Sequence, residues 1–285
     1  MSAQFFHDFP VMQMGWALAL SLVISALGFI RSDWFISIGY GLSMTGLAIL
    51  FEIIWWDHLT VLSAIQLSLL TFYGIRLASY LISRESKPSY AKELQASKQR
   101  SQHLQGFLKI VIWLTVAVLY VAMAAPAAWV LHAHQPTQVS QYLGVTLMAL
   151  GVVIEMLADD QKTAFKAVNP DQFMQQGLYR FSRCPNYFGE MLFWTGNLIC
   201  ALQVMSGVAT LLLALIGWLC IELIMLGSAR RLEFKQEQRY AENTEFQAYV
   251  QQVPILIPFI PLYSLKRLKI WWCFKKYAET KQVEF

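Results

Sequence analysis

The sequence predicts an all-α, polytopic membrane protein with seven transmembrane helices, its N-terminus outside and its C-terminus cytoplasmic. Three observations predict it. Of 285 residues, 56% are apolar and only 14% are charged, against about 25% charged in a soluble domain, and mean hydropathy is +0.44. Seven stretches approach the roughly 20 apolar residues that cross a bilayer: 11–30, 34–56, 59–82, 107–131, 139–158, 187–203 and 206–227. The basic residues fall on alternate sides of those stretches. This composition excludes a disordered chain, a nucleic-acid-binding domain and a disulfide scaffold. The four cysteines (Cys184, Cys200, Cys220, Cys273) show no paired spacing and read as free thiols packed as small apolar groups.

Each stretch is expected to be helical, because lipid offers no partner for an unpaired backbone group. The first is not a signal peptide: residues 1–10 contain no Lys or Arg and no small-residue cleavage site follows. Of 22 Lys and Arg residues, one lies at Arg31, six lie between 84 and 109, four between 162 and 183, ten after 228, and one, Arg76, inside a span. The N-terminus, the 57–58 turn, the 132–138 loop and the 204–205 turn carry none. By the positive-inside rule the basic set is cytoplasmic. Two cytoplasmic connections, 84–106 and 159–186, are long enough to carry function. Beyond the last span, 229–252 reads as a polar helix, VPILIPFIP is too proline-rich for one, and 262–277 mixes Lys and Arg with Trp271, Trp272 and Phe274 as an interfacial anchor on membrane lipid. The segments thus group as 1–60 (two N-terminal spans), 61–260 (spans with long cytoplasmic loops) and 261–285 (a basic, aromatic tail).

Ionisable groups inside spans are expensive and mark function. Here they are Glu52, Arg76, Glu155, Glu190 and Glu222. Three sets share helical faces: Tyr73, Arg76, Tyr80 and Arg84; Glu155, Asp159, Lys162 and Lys166; Asn186, Glu190, Phe193 and Asn197. Each polar stripe runs from a cytoplasmic loop inward, so it is expected to face other helices or a water-filled cavity and not lipid. Plain inter-helix salt bridges, such as Arg76 with Glu155, are the simpler alternative. The densest chemistry is in 165–190. Gly177 allows a tight turn, Arg180 and Arg183 are fork-shaped donors for phosphate or carboxylate, Pro185 suits a first helical turn, and Asn186 is a candidate cap beside backbone N–H groups that favour an anion. Arg230 and Arg231 join this cationic mouth from the last span. A polyphosphate cofactor, a phosphorylated lipid headgroup and topology bias alone all fit such a mouth. The His132-x-His134 pair in an outer loop lacks a third ligand for a metal.

The segment GLYRFSRCPNYFGE (177–190) resembles the G-L-[WFY]-x-x-[ST]-R-H-P-N-Y-x-G-[ED] run of the steroid 5α-reductase C-terminal family, whose bacterial members are mostly uncharacterised. Glu155 to Asp159 resembles its E-x-x-x-[AS]-D pattern, YGIRLASYLISR (73–84) its W-G-x-R-L-x-x-x-L-x-x-R, and the closing RY…FQAYVQQVPILIPF its C-terminal ending. The likeness covers about 70–260. It implies a seven-helix, membrane-embedded reductase in the bacterial inner (cell) membrane, with NADPH in the cytoplasmic half and a lipid or steroid-like substrate deeper. Carried over residue by residue, Asp159, Arg183, Asn186, Tyr187 and Glu190 would line the cofactor, with Arg230 and Arg231 closing over it. Tyr73 matches the tyrosine that hydrogen-bonds the substrate ketone, and Arg76, one turn away, would stabilise charge there. The polar stripes and the loop add Arg84, Glu155, Lys166 and Arg180 to the cofactor side. Tyr40, Glu52 and Asn197 are assigned to the substrate pocket. Two departures stand out: Cys184 replaces the His of the family run, and GYGLSM (39–44) has no counterpart of the Gln-Glu pair found in steroid-reducing members. Glu52 does not replace that acid, since its depth differs from that of Tyr73 by about 14 Å at a rise of about 1.5 Å per residue. Tyr40 is better placed in depth.

The expected reaction is reduction of a C=C bond conjugated to a carbonyl. A second reading is an S-adenosylmethionine-dependent methyltransferase acting on a lipid or an isoprenylcysteine, since those enzymes share the R-H-P-x-Y-x-G run. A third is a lipid-binding membrane protein without catalysis.

Overall fold

The computed structural model describes residues 9–86, 91, 94–95 and 106–268. The basic residues Lys87, Lys92, Lys98 and Arg100 and the aromatic tail from 269 onward lie outside the described residues. Among the described residues there are helices and turns and no strand. The helices are α1 (Val11–Ser25), α2 (Ile38–Ile54), α3 (Val61–Glu85), α4 (Gly106–Ala133), α5 (Val139–Val168), α6 (Pro185–Ala201), α7 (Val208–Tyr240) and α8 (Thr244–Gln252).

Six segments are long and apolar enough to cross a membrane: Val11–Phe29, Ser32–Ile54, Val61–Glu85, Gly106–Ala133, Val139–Val168 and Val208–Tyr240. The sequence predicts a seventh at 187–203. There the structure has α6, whose 17 residues reach about 26 Å at 1.5 Å per residue. Two helices run further than their apolar stretches. α5 continues ten residues past the expected end at 158, to Val168, and α7 continues to Tyr240. The expected separate helix over 229–252 is therefore corrected: its first half prolongs α7, and only Thr244–Gln252 is a helix of its own. The break is at 241–243, where Asn243 accepts a bond from the Phe246 N–H and caps α8. Hydropathy reports where lipid ends, while a polar helix in water has no reason to end there.

The chain divides into two compact units, Met1–Val152 with Leu192–Ile221, and Val153–Met191 with Glu222–Phe285. In the first, helices cross at glycines. A Cβ added to Gly41 of α2 would stand 2.8 Å from the Gly74 carbonyl oxygen of α3, and a Cβ on Gly74 would come closer still to that of Gly41. Gly144 of α5 and Gly196 of α6 form a second reciprocal pair, at 2.5 and 2.6 Å. Small residues at crossings let backbones approach where no hydrophobic effect drives helices together. Buried polar side chains join these helices: Gln66 Nε2 of α3 donates to Asn197 Oδ1 of α6 (2.8 Å), and Asn197 Nδ2 donates to the Met123 carbonyl of α4 (2.9 Å).

The second unit is built on the polar continuations of α5 and α7. Gly177, at φ +59°, turns the chain so that Leu178 N–H reaches Gln161 Oε1 at 2.9 Å; any side chain there would collide with Gln161. Lys166 bonds the Pro170 and Gln172 carbonyls and the Tyr240 hydroxyl. These contacts fix the 169–176 loop against α7.

Gly74→Val should lower the thermal unfolding midpoint in detergent, with a loss of about 1–3 kcal/mol from overpacking. Gly15→Val, where a Cβ meets nothing, should change it far less.

Candidate functional site

The Gly41–Gly74 approach sets the chemistry beside it. Tyr40 and Tyr73 are the preceding residues on the two helices, and their hydroxyls share a hydrogen bond of 3.0 Å. Both are buried, Tyr73 completely. Tyr73 stacks on Phe193 (4.4 Å between centroids) and meets Trp194 edge-on (5.6 Å), and Tyr40 stacks on Tyr120 (5.5 Å). The Tyr120 hydroxyl donates to the Phe35 carbonyl. The result is a water-excluded aromatic box with two adjoining phenol groups. The Trp194 indole N–H is also buried there and has no hydrogen-bond partner. Arg76, the other expected catalytic residue, is half-buried, with its guanidinium 5.8 Å from the Tyr80 ring centroid. Arg84 reaches the same ring at the same distance. Asn197 belongs to the structural bond set above. Glu52 is half-buried on the far part of α2 from Tyr40.

In the second unit the acids Glu155, Asp159, Glu190 and Glu222 are buried, as the cost of a carboxylate facing lipid requires. Asn186 was a candidate cap, but α6 begins at Pro185, so Asn186 lies inside the first turn. Its Nδ2 donates to Asp159 Oδ1 at 3.4 Å. The Ser182 hydroxyl instead accepts the Cys184 N–H (3.2 Å) while donating to the Leu256 carbonyl (2.6 Å). Tyr187 packs on the apolar cluster of Cys184, Ala229, Ile255, Leu256 and Leu265.

The basic residues fall into two groups. Arg183 is enclosed. Its Nη2 stands 3.7 Å from Glu233 Oε1, with both side chains 2% exposed, and donates to the Tyr263 carbonyl. Glu233 Oε2 in turn accepts the Leu265 N–H at 3.0 Å. Arg183, expected at the cofactor, clamps the 254–265 segment through these partners. Arg180 and Arg231 are exposed. Arg230 is half-buried, lies 4.9 Å from the Phe234 ring centroid and donates to the Lys266 carbonyl at 3.3 Å. Lys166 is committed to the loop and to Tyr240. The exposed guanidiniums can meet a phosphate, and the enclosed one cannot without opening the segment.

Sequence reasoning missed Gln66, Trp194 and Glu233. Gln66 carried a signal, a lone amide in an apolar span. So did Glu233, three turns after Glu222 on one helix face. Among the described residues, no group of three or more His, Cys, Asp or Glu could hold a metal ion.

The fit to known families is decided by extent: residues 23–253 match a family described as proteins of unknown function, DUF1295. The chain belongs to the DUF1295 family. No curated protein matches it, and no solved structure matches it. The matched range of this DUF1295 member takes in the aromatic box and most of the second unit.

Two outcomes follow. Burial pushes the Cys184 thiol up to about 12, opposed only partly by Lys162 and Arg183. Native protein should therefore leave Cys184 unalkylated by maleimide at pH 8, and unfolding in dodecyl sulfate should expose it, as read by peptide mass spectrometry. Arg183→Met strands a buried carboxylate at Glu233 and should cost about 3–5 kcal/mol. The double variant Arg183→Met/Glu233→Leu should recover most of that in the same thermal unfolding assay.

Proposed function

We propose that this protein is a membrane-embedded, NADPH-dependent reductase of a C=C bond conjugated to a carbonyl in a lipid or steroid-like substrate. The observation that carries the reading is the Tyr40–Tyr73 pair, two hydroxyls 3.0 Å apart in a buried aromatic box. Charge develops on the carbonyl oxygen of an enone as its double bond is reduced, and a fixed donor in a dry site lowers that barrier most. Tyr73 is that donor, and Tyr40 holds its hydroxyl in place. Tyr40 thus does, as a neutral group, what an acid would do in a member carrying the Gln-Glu pair. The aromatic rings exclude water, which keeps the donor's field undamped.

The donor set of the second unit fits a dinucleotide phosphate. Arg180 and Arg231 present exposed guanidiniums to phosphate, and Asp159 and Glu190 are acceptors suited to ribose or amide groups. When bound, NADPH supplies hydride. In this reading α6 is a seventh crossing, the N-terminus is outside, and the second unit faces the cytoplasm of a bacterial cell.

Thermal-shift titration of the detergent-solubilised protein tests it. NADPH should raise the unfolding midpoint and S-adenosylmethionine should not; a preference for the methyl donor overturns the reading. Arg231→Ala should weaken NADPH binding about 10-fold, the effect of losing roughly 1.4 kcal/mol from one charged contact. Tyr73→Phe should leave that binding intact and lower turnover of an α,β-unsaturated lipid ketone about 100-fold.

A further inference from the structure

The segment between α8 and Leu268 has a buried base and an apolar, exposed tip. Ile255, Leu256 and Leu265 are buried. Ile255 N–H bonds the Leu262 carbonyl at 2.8 Å and closes the loop, while the Pro254 carbonyl accepts the Arg183 N–H at 2.9 Å. From this fixed base the tip projects. Phe259 is 86% exposed at φ 66°, a backbone conformation that a bulky residue avoids. Ile260 and Leu262 are exposed as well, and the Phe181 ring, also exposed, stands 6.1 Å from that of Phe259. Residues 253–263 (VPILIPFIPLY) contain no charge. Water offers nothing to hold such a tip in this shape.

Behind the tip lies a groove of about 200 Å³ with a wholly apolar lining that includes Ile154, Leu178, Phe188 and Pro258. Ile154 belongs to α5, a candidate membrane span. Its neighbours Val153 and Leu157 on that helix are exposed apolar side chains, so the groove is continuous with a lipid-facing surface. Exposed cations flank the tip in sequence: Arg267 follows it beside Lys266, which is ion-paired with Glu237, and Arg180 precedes Phe181. Apolar and aromatic groups bordered by Lys and Arg are the make-up of an element that lies in the headgroup layer of an anionic membrane.

We propose that Phe259, Ile260 and Phe181 form a wedge that inserts into the membrane leaflet beside the second unit, and that the groove behind it takes an acyl chain of a bilayer phospholipid. The wedge anchors the loop clamped by Arg183 to the bilayer surface and is distinct from the aromatic tail beyond 268.

The test uses the full chain in vesicles of phosphatidylethanolamine and phosphatidylglycerol. A nitroxide is placed at Phe259→Cys in a Cys220→Ser/Cys273→Ser background, with Glu242→Cys on the exposed 241–243 turn as reference. Oxygen should relax the label at 259 several-fold more than a water-soluble nickel chelate does, with the order reversed at 242. Preference for the nickel chelate at both positions overturns the wedge. Independently, p-benzoylphenylalanine in place of Phe181 should photo-cross-link to a vesicle phospholipid. Cross-linking only to a second copy of the chain would overturn the lipid assignment, as would a sole adduct to a co-purified molecule that is not a vesicle phospholipid.

Discussion

The close approach of two backbones at Gly41 and Gly74 is the constraint on which the first unit depends. Without side chains at those positions, α2 and α3 come near enough for backbone to pack on backbone. That distance is what brings Tyr40 and Tyr73, one residue earlier on each helix, to a shared hydrogen bond. The aromatic rings then have a fixed floor on which to pack, and a dry site follows. The Gly144–Gly196 crossing and the Gln66–Asn197 bond hold α6 in the same way, which in turn fixes Phe193 and Trp194. In hydrocarbon such geometry has to come from packing and internal hydrogen bonds, since apolar surface gains little by leaving lipid for protein.

Much of this was legible in the sequence because the signals are local. Spans show as runs of apolar residues, and the stripes through Tyr73, Glu155 and Glu190 show as spacings of three and four. Burial of Glu155, Asp159 and Glu190 follows directly, because a carboxylate facing lipid is too costly. What was not legible depends on partners far apart in the chain. Nothing near Arg183 announces Glu233 or the Tyr263 carbonyl, so the sequence shows an arginine in a cationic stretch and not its clamp on 254–265. The helix ends beyond the membrane failed for a different reason: no hydropathy change marks the end of a helix that continues into water.

The second unit concentrates charge in a way that separates duties. Buried groups such as Arg183 and Glu233 satisfy each other and the backbone, and they give shape. Exposed ones such as Arg180 and Arg231 are left to meet the outside. Cys184 belongs with the buried groups that give shape. Its thiol sits in an apolar cluster with Ile255 and Leu256, within the field of Lys162, Arg183 and Glu233.

The Arg183 clamp also orders events during synthesis. Its carbonyl partner, Tyr263, lies 80 residues later in the chain. At roughly 5–20 residues per second of translation, Arg183 is made about 4–16 s before the group that completes its enclosure. Until then its guanidinium keeps its water, and the 177–184 turn has no lid of residues 254–265 to close under. The first unit draws on earlier-made helices and can assemble during that interval. Maturation of the second unit is therefore gated by the arrival of residues 254–265.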